Sequence, residues 1–218
     1  MLIMLRIKLS IALLLCSFLS QANAEVQKLS VNVDKARLDK GELQTFITPL
    51  KTAEGLVKKR VIGVVVIDAP PSKVWKVLED WEAMPAFVPG LEYYKVVHRI
   101  NKDDFLIEGV VKAGLIKILY TLRVKFDRVR YTQEWSFIGP EEIKAYGDKG
   151  VALKKPAWNI RNVEGFEYIE PHGNGMRTLY YYAPVIEARG VPEWIERLLA
   201  KQGLEGYMKG IKKKAEEK

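Results

Sequence analysis

The chain has almost no thiol and almost no histidine. Of its 218 residues one is cysteine, Cys16, and two are histidine, His98 and His172. Cys16 sits in an N-terminal run expected to be removed, so disulfide scaffolds, cysteine nucleophiles and zinc–thiolate sites are excluded. The two histidines stand on separate segments without metal-ligand spacing, which argues against a histidine-based metal site. There is no GxSxG elbow, no P-loop and no GxGxxG behind a strand. Gly173-Asn174-Gly175 reads as a turn, not a phosphate cradle. No cofactor is implied. With no internal repeat or low-complexity linker between residues 60 and 215, stability has to come from packing.

Acidic residues are missing from the first 24 positions. Arg6 and Lys8 precede an apolar stretch from Leu9 to Leu19, and Ala22-Asn23-Ala24 is a small-x-small site before Glu25. That pattern is a cleavable export signal, 1–24, which implies a periplasmic or secreted protein. The apolar stretch is short for a membrane span, and a retained anchor is the alternative. Cys16 follows Leu13-Leu14-Leu15 with no small residue before it, which argues against lipidation. Loss of Arg6 and Lys8 lowers the net charge from +8 to +6. In an exported protein that balance suits transient contact with an anionic membrane surface and gives no reason to expect nucleic acid; ordinary solubility explains it equally well.

What is abundant is alternation. Residues 25–59 form an extension with a short alternating piece (Leu29, Val31, Val33) and a second candidate strand, Gln44 to Leu50. From Lys59 to Asp68 the apolar run is nearly continuous, as in a strand buried on both faces. Pro70-Pro71-Ser72 opens a helix with Val74, Trp75, Val77 and Leu78 along one stripe, and a second short helix is expected over Trp81 to Phe87. Next, Tyr94, Val96, His98 and Ile100 share one parity, then Phe105, Ile107, Gly109 and Val111. Ile116, Ile118, Tyr120, Leu122, Val124 and Phe126 follow, then Tyr131, Trp135 and Phe137. Trp158, Ile160, Phe166 and Tyr168 share a parity, and Tyr180 and Tyr182 lie on the last strand. These are antiparallel strands with one dry face. Residues 140–156 break the pattern and read as a long loop, either a lid or a tolerated insertion. A long helix closes the chain, with Leu198, Leu199 and Tyr207 on its apolar surface. Its Gly203, Gly206 and Gly210 call for a bend, a break, or room for a ligand, since each costs roughly 1 kcal/mol against alanine.

The segment VIGVVVIDAPPSKVWKVLEDWEAMPAFVPGL (61–91), the strands behind it and the tail GMRTLYYYAPVIEARGVPEWIERLLAKQGLEGYMKGIKKKAEE (175–217) resemble the START-like, or helix-grip, superfamily of polyketide cyclases and lipid-transfer domains. The resemblance covers residues 60–218 and implies an α+β fold, with a curved antiparallel sheet wrapped around a long C-terminal helix and two short helices after the first core strand. It also implies a cavity between sheet and helix for a hydrophobic small molecule or lipid. Its motifs are diffuse and include no catalytic signature.

On that basis the candidate lining is Phe105, Ile107, Tyr120, Leu122, Trp135, Phe137, Trp158, Tyr180, Tyr182, Leu198, Leu199 and Tyr207; plain core is the competing reading of the same residues. His98 and Glu164 share parity with apolar neighbours. Glu164 either points inward, where it orients a ligand or acts as an acid–base group, or returns to water through a bulge at Gly165. Three functions fit: an exported carrier of a hydrophobic ligand, a cyclase or dehydratase using Glu164 or His98, and a ligand-free interaction module in the envelope. Nothing in the sequence sets the oligomeric state.

Overall fold

Six of the seven residues from Val61 to Ile67 are β-branched, a composition that favours extended backbone, and all seven are buried. This stretch is the core of β2 (Val57–Ile67), the strand on which the fold is built. The structure is a computed structural model that describes residues 29, 31–51, 57–113, 116–157, 160–190 and 193–217, with the backbone alone at 51, 58, 113, 116 and 193–199. The chain divides into two units: Met1–Ser30, which apart from Leu29 lies outside the described residues, and Val31–Lys218, which carries the fold. The expected export signal at 1–24 and Trp158 therefore lie outside the described residues.

Within the second unit, α1 (Lys35–Asp39) precedes β1 (Gln44–Lys51), which pairs antiparallel with β2. The boundary drawn at 59/60 falls inside β2, so the extension and the main domain share a strand. The chain then crosses through α2 (Pro71–Glu79) to the far edge of the sheet. Proline occupies the first turn of α2, where no N–H is required, and Val74, Trp75 and Leu78 form its buried face. The expected second helix is a single 3-10 turn, Met84–Ala86.

Six strands return in sequence: β3 (Leu91–Asn101), β4 (Asp104–Ala113), β5 (Ile116–Asp127), β6 (Thr132–Phe137), β7 (Ile160–His172) and β8 (Arg177–Ala188). β8 pairs with β2 and completes an eight-stranded antiparallel sheet ordered β1-β2-β8-β7-β6-β5-β4-β3. A long helix, α4 (Glu193–Glu216), lies on one face of it, with Leu204, Met208, Ile211 and Ala215 buried at helical spacing. The architecture is the α+β helix grip.

α4 is continuous through its three glycines. A Cβ at Gly210 would lie 2.4 Å from the carbonyl oxygen of Phe87, and one at Gly206 would touch the ring of Pro89 at 3.8 Å. Gly210 seats the helix against the Phe87 backbone, which replaces the expected bend, break or ligand space there, whereas a Cβ at Gly206 would make only ordinary contact with Pro89. Nothing lies within 4 Å of a Cβ at Gly203.

Only the second part of the 140–156 segment is irregular. Pro140–Gly147 forms α3, begun by proline and by Glu142, whose carboxylate accepts from the Gly139 N–H at 3.1 Å. The segment lies over the face of the sheet opposite α4. There Lys154 pairs with Glu108, which is 2% exposed, and its ammonium sits 5.3 Å from the Tyr93 ring centroid. Tyr146 meets His98 edge-on at 6.3 Å. The segment therefore covers the back of the sheet and is no lid on the helix side.

A candidate ligand site between sheet and helix

Directly opposed residues of antiparallel strands present side chains to the same face. Register therefore identifies what α4 sees. Gly63 of β2, against Met208 and Leu204 of α4, opposes Tyr182 of β8; Tyr182 opposes Glu167 of β7; Glu167 opposes Gln133 of β6. On the far side Tyr94, Gly109 and Tyr120 line up across β3, β4 and β5.

The interior so formed has two halves. Under α2 it is closed: Trp81 stacks on Phe126 at 5.1 Å and meets Phe105 edge-on at 5.2 Å, Trp75 meets Phe126 at 5.3 Å, and all four rings are buried. Under the middle of α4 the aromatics are Tyr94, Tyr120, Trp135, Phe137, Tyr182 and Tyr207. Tyr182 stacks between Trp135 at 5.4 Å and Tyr207 at 4.6 Å. Here Tyr94, Tyr120, Phe137, Tyr182 and Tyr207 keep part of their surface accessible. The phenols of Tyr94, Tyr120, Tyr182 and Tyr207 are nevertheless surrounded by enough protein that burial holds them well above the ordinary tyrosine range. These side chains combine partial accessibility with strong desolvation, unlike the rings of the closed half, which are buried throughout. Two strand glycines make room for these rings. A Cβ at Gly109 would come within 2.9 Å of both Tyr94 and Tyr120, and one at Gly165 within 2.5 Å of Trp135.

At the floor of this half stands Glu167, which is 0% exposed. The Tyr180 hydroxyl donates a short hydrogen bond to Oε2, and the Tyr207 hydroxyl donates a longer one to Oε1 at 3.4 Å. Burial pushes this carboxyl up to about 8, against the opposing pull of the two hydroxyls. Most of it is therefore protonated at neutral pH and able to donate a hydrogen bond. Across the strand pair, the buried Oε1 of Gln133 has no hydrogen-bond partner. Among the described residues, a carboxyl, an amide and five tyrosine hydroxyls are the polar side-chain groups of this half.

Of the residues singled out from sequence, Phe105, Ile107, Tyr120, Leu122, Trp135, Phe137, Tyr180, Tyr182 and Tyr207 face this interior. Phe105 and Ile107 are fully packed at the closed end. The side chains of Leu198 and Leu199, like Trp158, lie outside the described residues. Two expectations are corrected. A register shift between Val96 and His98 sets His98 opposite Leu106, on the back of the sheet beside Tyr146. Glu164 opposes Val185 on the same outer side, where it lies in the field of Arg60, whose guanidinium covers the Phe166 ring at 5.1 Å. Gln133 and Glu167 are interior residues that the alternation pattern missed; Tyr94, which alternation does put on the apolar face, was not among the candidate lining residues.

A family model described as polyketide cyclase / dehydrase and lipid transport matches residues 67–185. Among solved structures, human STARD10 superposes with a TM-score of 0.62 at 13% identity, covering 92% of this chain and 77% of that one. A STAR-related lipid transfer protein from Xanthomonas axonopodis gives 0.58 at 14% identity, covering 78% and 99%. The Zhui aromatase/cyclase from Streptomyces sp. R1128 gives 0.57 at 12%, covering 80% and 94%. At these identities the likeness establishes the fold. No curated protein matches the chain significantly.

Proposed function

Since the chain belongs to the polyketide cyclase/dehydrase and lipid-transport family, we propose that it binds and carries a hydrophobic ligand, lipid-like or aromatic, between its sheet and α4. The observation that carries this reading is the aromatic half of the interior, where Tyr94, Tyr120, Tyr182 and Tyr207 are desolvated yet partly accessible. Sequestration is the mechanism: each Å² of apolar ligand surface removed from water contributes about 25 cal/mol, and the stacked Trp135, Tyr182 and Tyr207 offer ring faces to a flat or conjugated group. The export-signal pattern in residues 1–24 supports a site of action outside the cytoplasm, in the cell envelope, where a membrane-derived molecule is at hand.

The test is native mass spectrometry of the protein purified from its own envelope, with organic extraction of whatever accompanies it. A stoichiometric lipid or aromatic supports the carrier and identifies its class. A clean apo mass, with no thermal shift from a panel of lipids and aromatics, overturns it and favours a ligand-free interaction module.

A second reading, an enzyme of the cyclase or dehydratase kind, draws support from Glu167 alone. A buried carboxyl pushed up to about 8 and touching two phenols is equipped to give and take a proton near neutrality. Turnover of the extracted ligand that disappears in Glu167→Gln while binding persists would favour it. His98 and Glu164, on the outer face, are not candidates for that role.

A further inference from the structure

The floor of the tyrosine half has a chemical character that goes beyond apolar. Around Glu167 stand Tyr180 and Tyr182 from β8, Tyr207 from α4, Tyr94 from β3 and Gln133 from β6. Two hydroxyls donate to the carboxyl, and the amide oxygen opposite it lacks a donor. Among the described residues no lysine, arginine or histidine acts on this carboxyl. Four basic side chains packed on the sheet are engaged elsewhere: Lys154 and Arg60 behind it, Arg99 over Phe105 at the closed end, and Lys212 bonded to Val66 O and Glu216.

Resting on the carrier reading above, we propose that this floor selects ligands whose buried end is an uncharged polar group, a carbonyl, ester or hydroxyl, and turns away ligands that bring a carboxylate or phosphate to the same depth. An anion placed there would be desolvated with no described counter-ion, and once Glu167 ionises it would also meet a like charge. An uncharged oxygen finds hydroxyls that can both donate and accept, beneath aromatic faces that hold the attached ring. Glu167 adds to this selectivity as it ionises. The carboxyl is largely neutral at pH 7 and ionised at pH 9, so the penalty on a second anion grows over that interval.

The experiment uses two matched probe pairs that share a hydrophobic body: methyl 2-naphthoate with 2-naphthoate, and 1-dodecanol with dodecanoate. Calorimetric titration of the wild-type protein at pH 7 is expected to show at least about tenfold tighter binding of each uncharged member. Both carboxylate probes are fully ionised at pH 7 and pH 9, so any growth of the preference over that range comes from the protein. We expect it to widen several-fold in the wild type and stay flat in Glu167→Gln. Equal binding within each pair overturns the selectivity and leaves the carrier reading intact. Failure of all four probes to bind counts against the carrier reading itself. A preference that does not change with pH in the wild type, a comparison that needs no variant, removes Glu167 as a contributor.

Discussion

At one end of the grip Phe105 and Trp81 meet edge to face and are 2% and 5% exposed; at the other Tyr182 and Tyr207 stack at 4.6 Å and keep part of their surface accessible. Both ends draw on aromatic side chains, and β4 and β5 run through both, with Phe105 opposite Val124 and Gly109 opposite Tyr120. They differ in what the aromatics carry and in what lies beneath them. Rings dominate the closed end, with α2 packed over them. The open end substitutes phenols, whose hydroxyls need partners in a dry space, and sets glycine at 109 and 165 where a side chain would collide with a ring. Close packing stabilises the fold at the first end; partly accessible rings around polar groups make the second the candidate for recognition.

The largest expected effect breaks the comparison from the closed side. Phe105→Ala removes a ring enclosed by Trp81, Phe126 and the Arg99 guanidinium, and should cost roughly 3–5 kcal/mol of stability in urea denaturation. Ligand affinity of the folded fraction should stay within about twofold of wild type, a change of less than 0.5 kcal/mol. A stability loss under 1 kcal/mol would mean this end is no better packed than the other.

Next in size is a pH-dependent effect at the open side. The Glu167 carboxyl is pushed up to about 8 in the folded protein and titrates near 4.3 when unfolded. Between those values the unfolded chain has released the proton and the folded chain retains it. Stability therefore falls as pH rises from about 4.3 to about 8, by up to about 1.4 kcal/mol per pH unit, and levels off above. Glu167→Gln removes this contribution. Relative to wild type it should gain stability steadily from pH 5 to pH 8, reaching on the order of 2–4 kcal/mol. Parallel denaturation curves for the two proteins across that range would show that the carboxyl ionises freely and that the floor is wet.

The face of most strands was legible from period two because one side is dry, and Tyr120, Leu122, Trp135 and Phe137 lie where alternation puts them. β7 was misread for a definite reason. Its outer side also carries aromatics, with Tyr168 stacked on Tyr181 at 4.4 Å and Phe166 beneath Arg60, so aromatic parity did not mean inward parity. The turn held the missing information. A hairpin closed at His172 and Arg177 sets Glu167 opposite Tyr182 and Phe166 opposite Ala183. Tyr182 inward therefore requires Glu167 inward and Glu164 outward. No comparable cue marked His98, whose face is changed by a bulge. Nor did anything local show that 140–156 packs behind the sheet, since Glu108 and Lys154 are 46 residues apart.

The smallest perturbation sharpens the comparison most. Tyr207→Phe keeps the ring that stacks on Tyr182 and deletes only the hydroxyl that donates to Glu167 across 3.4 Å. A hydrogen bond of that length contributes at the low end of the usual 0.5–1.5 kcal/mol, so stability at pH 6 should drop by about 0.5 kcal/mol. Without that donor the carboxyl rises further above its ordinary range, and the pH interval over which the wild type loses stability should extend upward. Affinity for methyl 2-naphthoate should fall several-fold, because a bound ester oxygen loses one of the hydroxyls that meet it. Phe105→Ala and Tyr207→Phe would then show opposite signatures, one in stability with binding spared and the other in binding with stability nearly unchanged. If both variants changed stability and binding in proportion, the two halves would be one continuous core, and the accessible surface on the tyrosines would have no role in recognition.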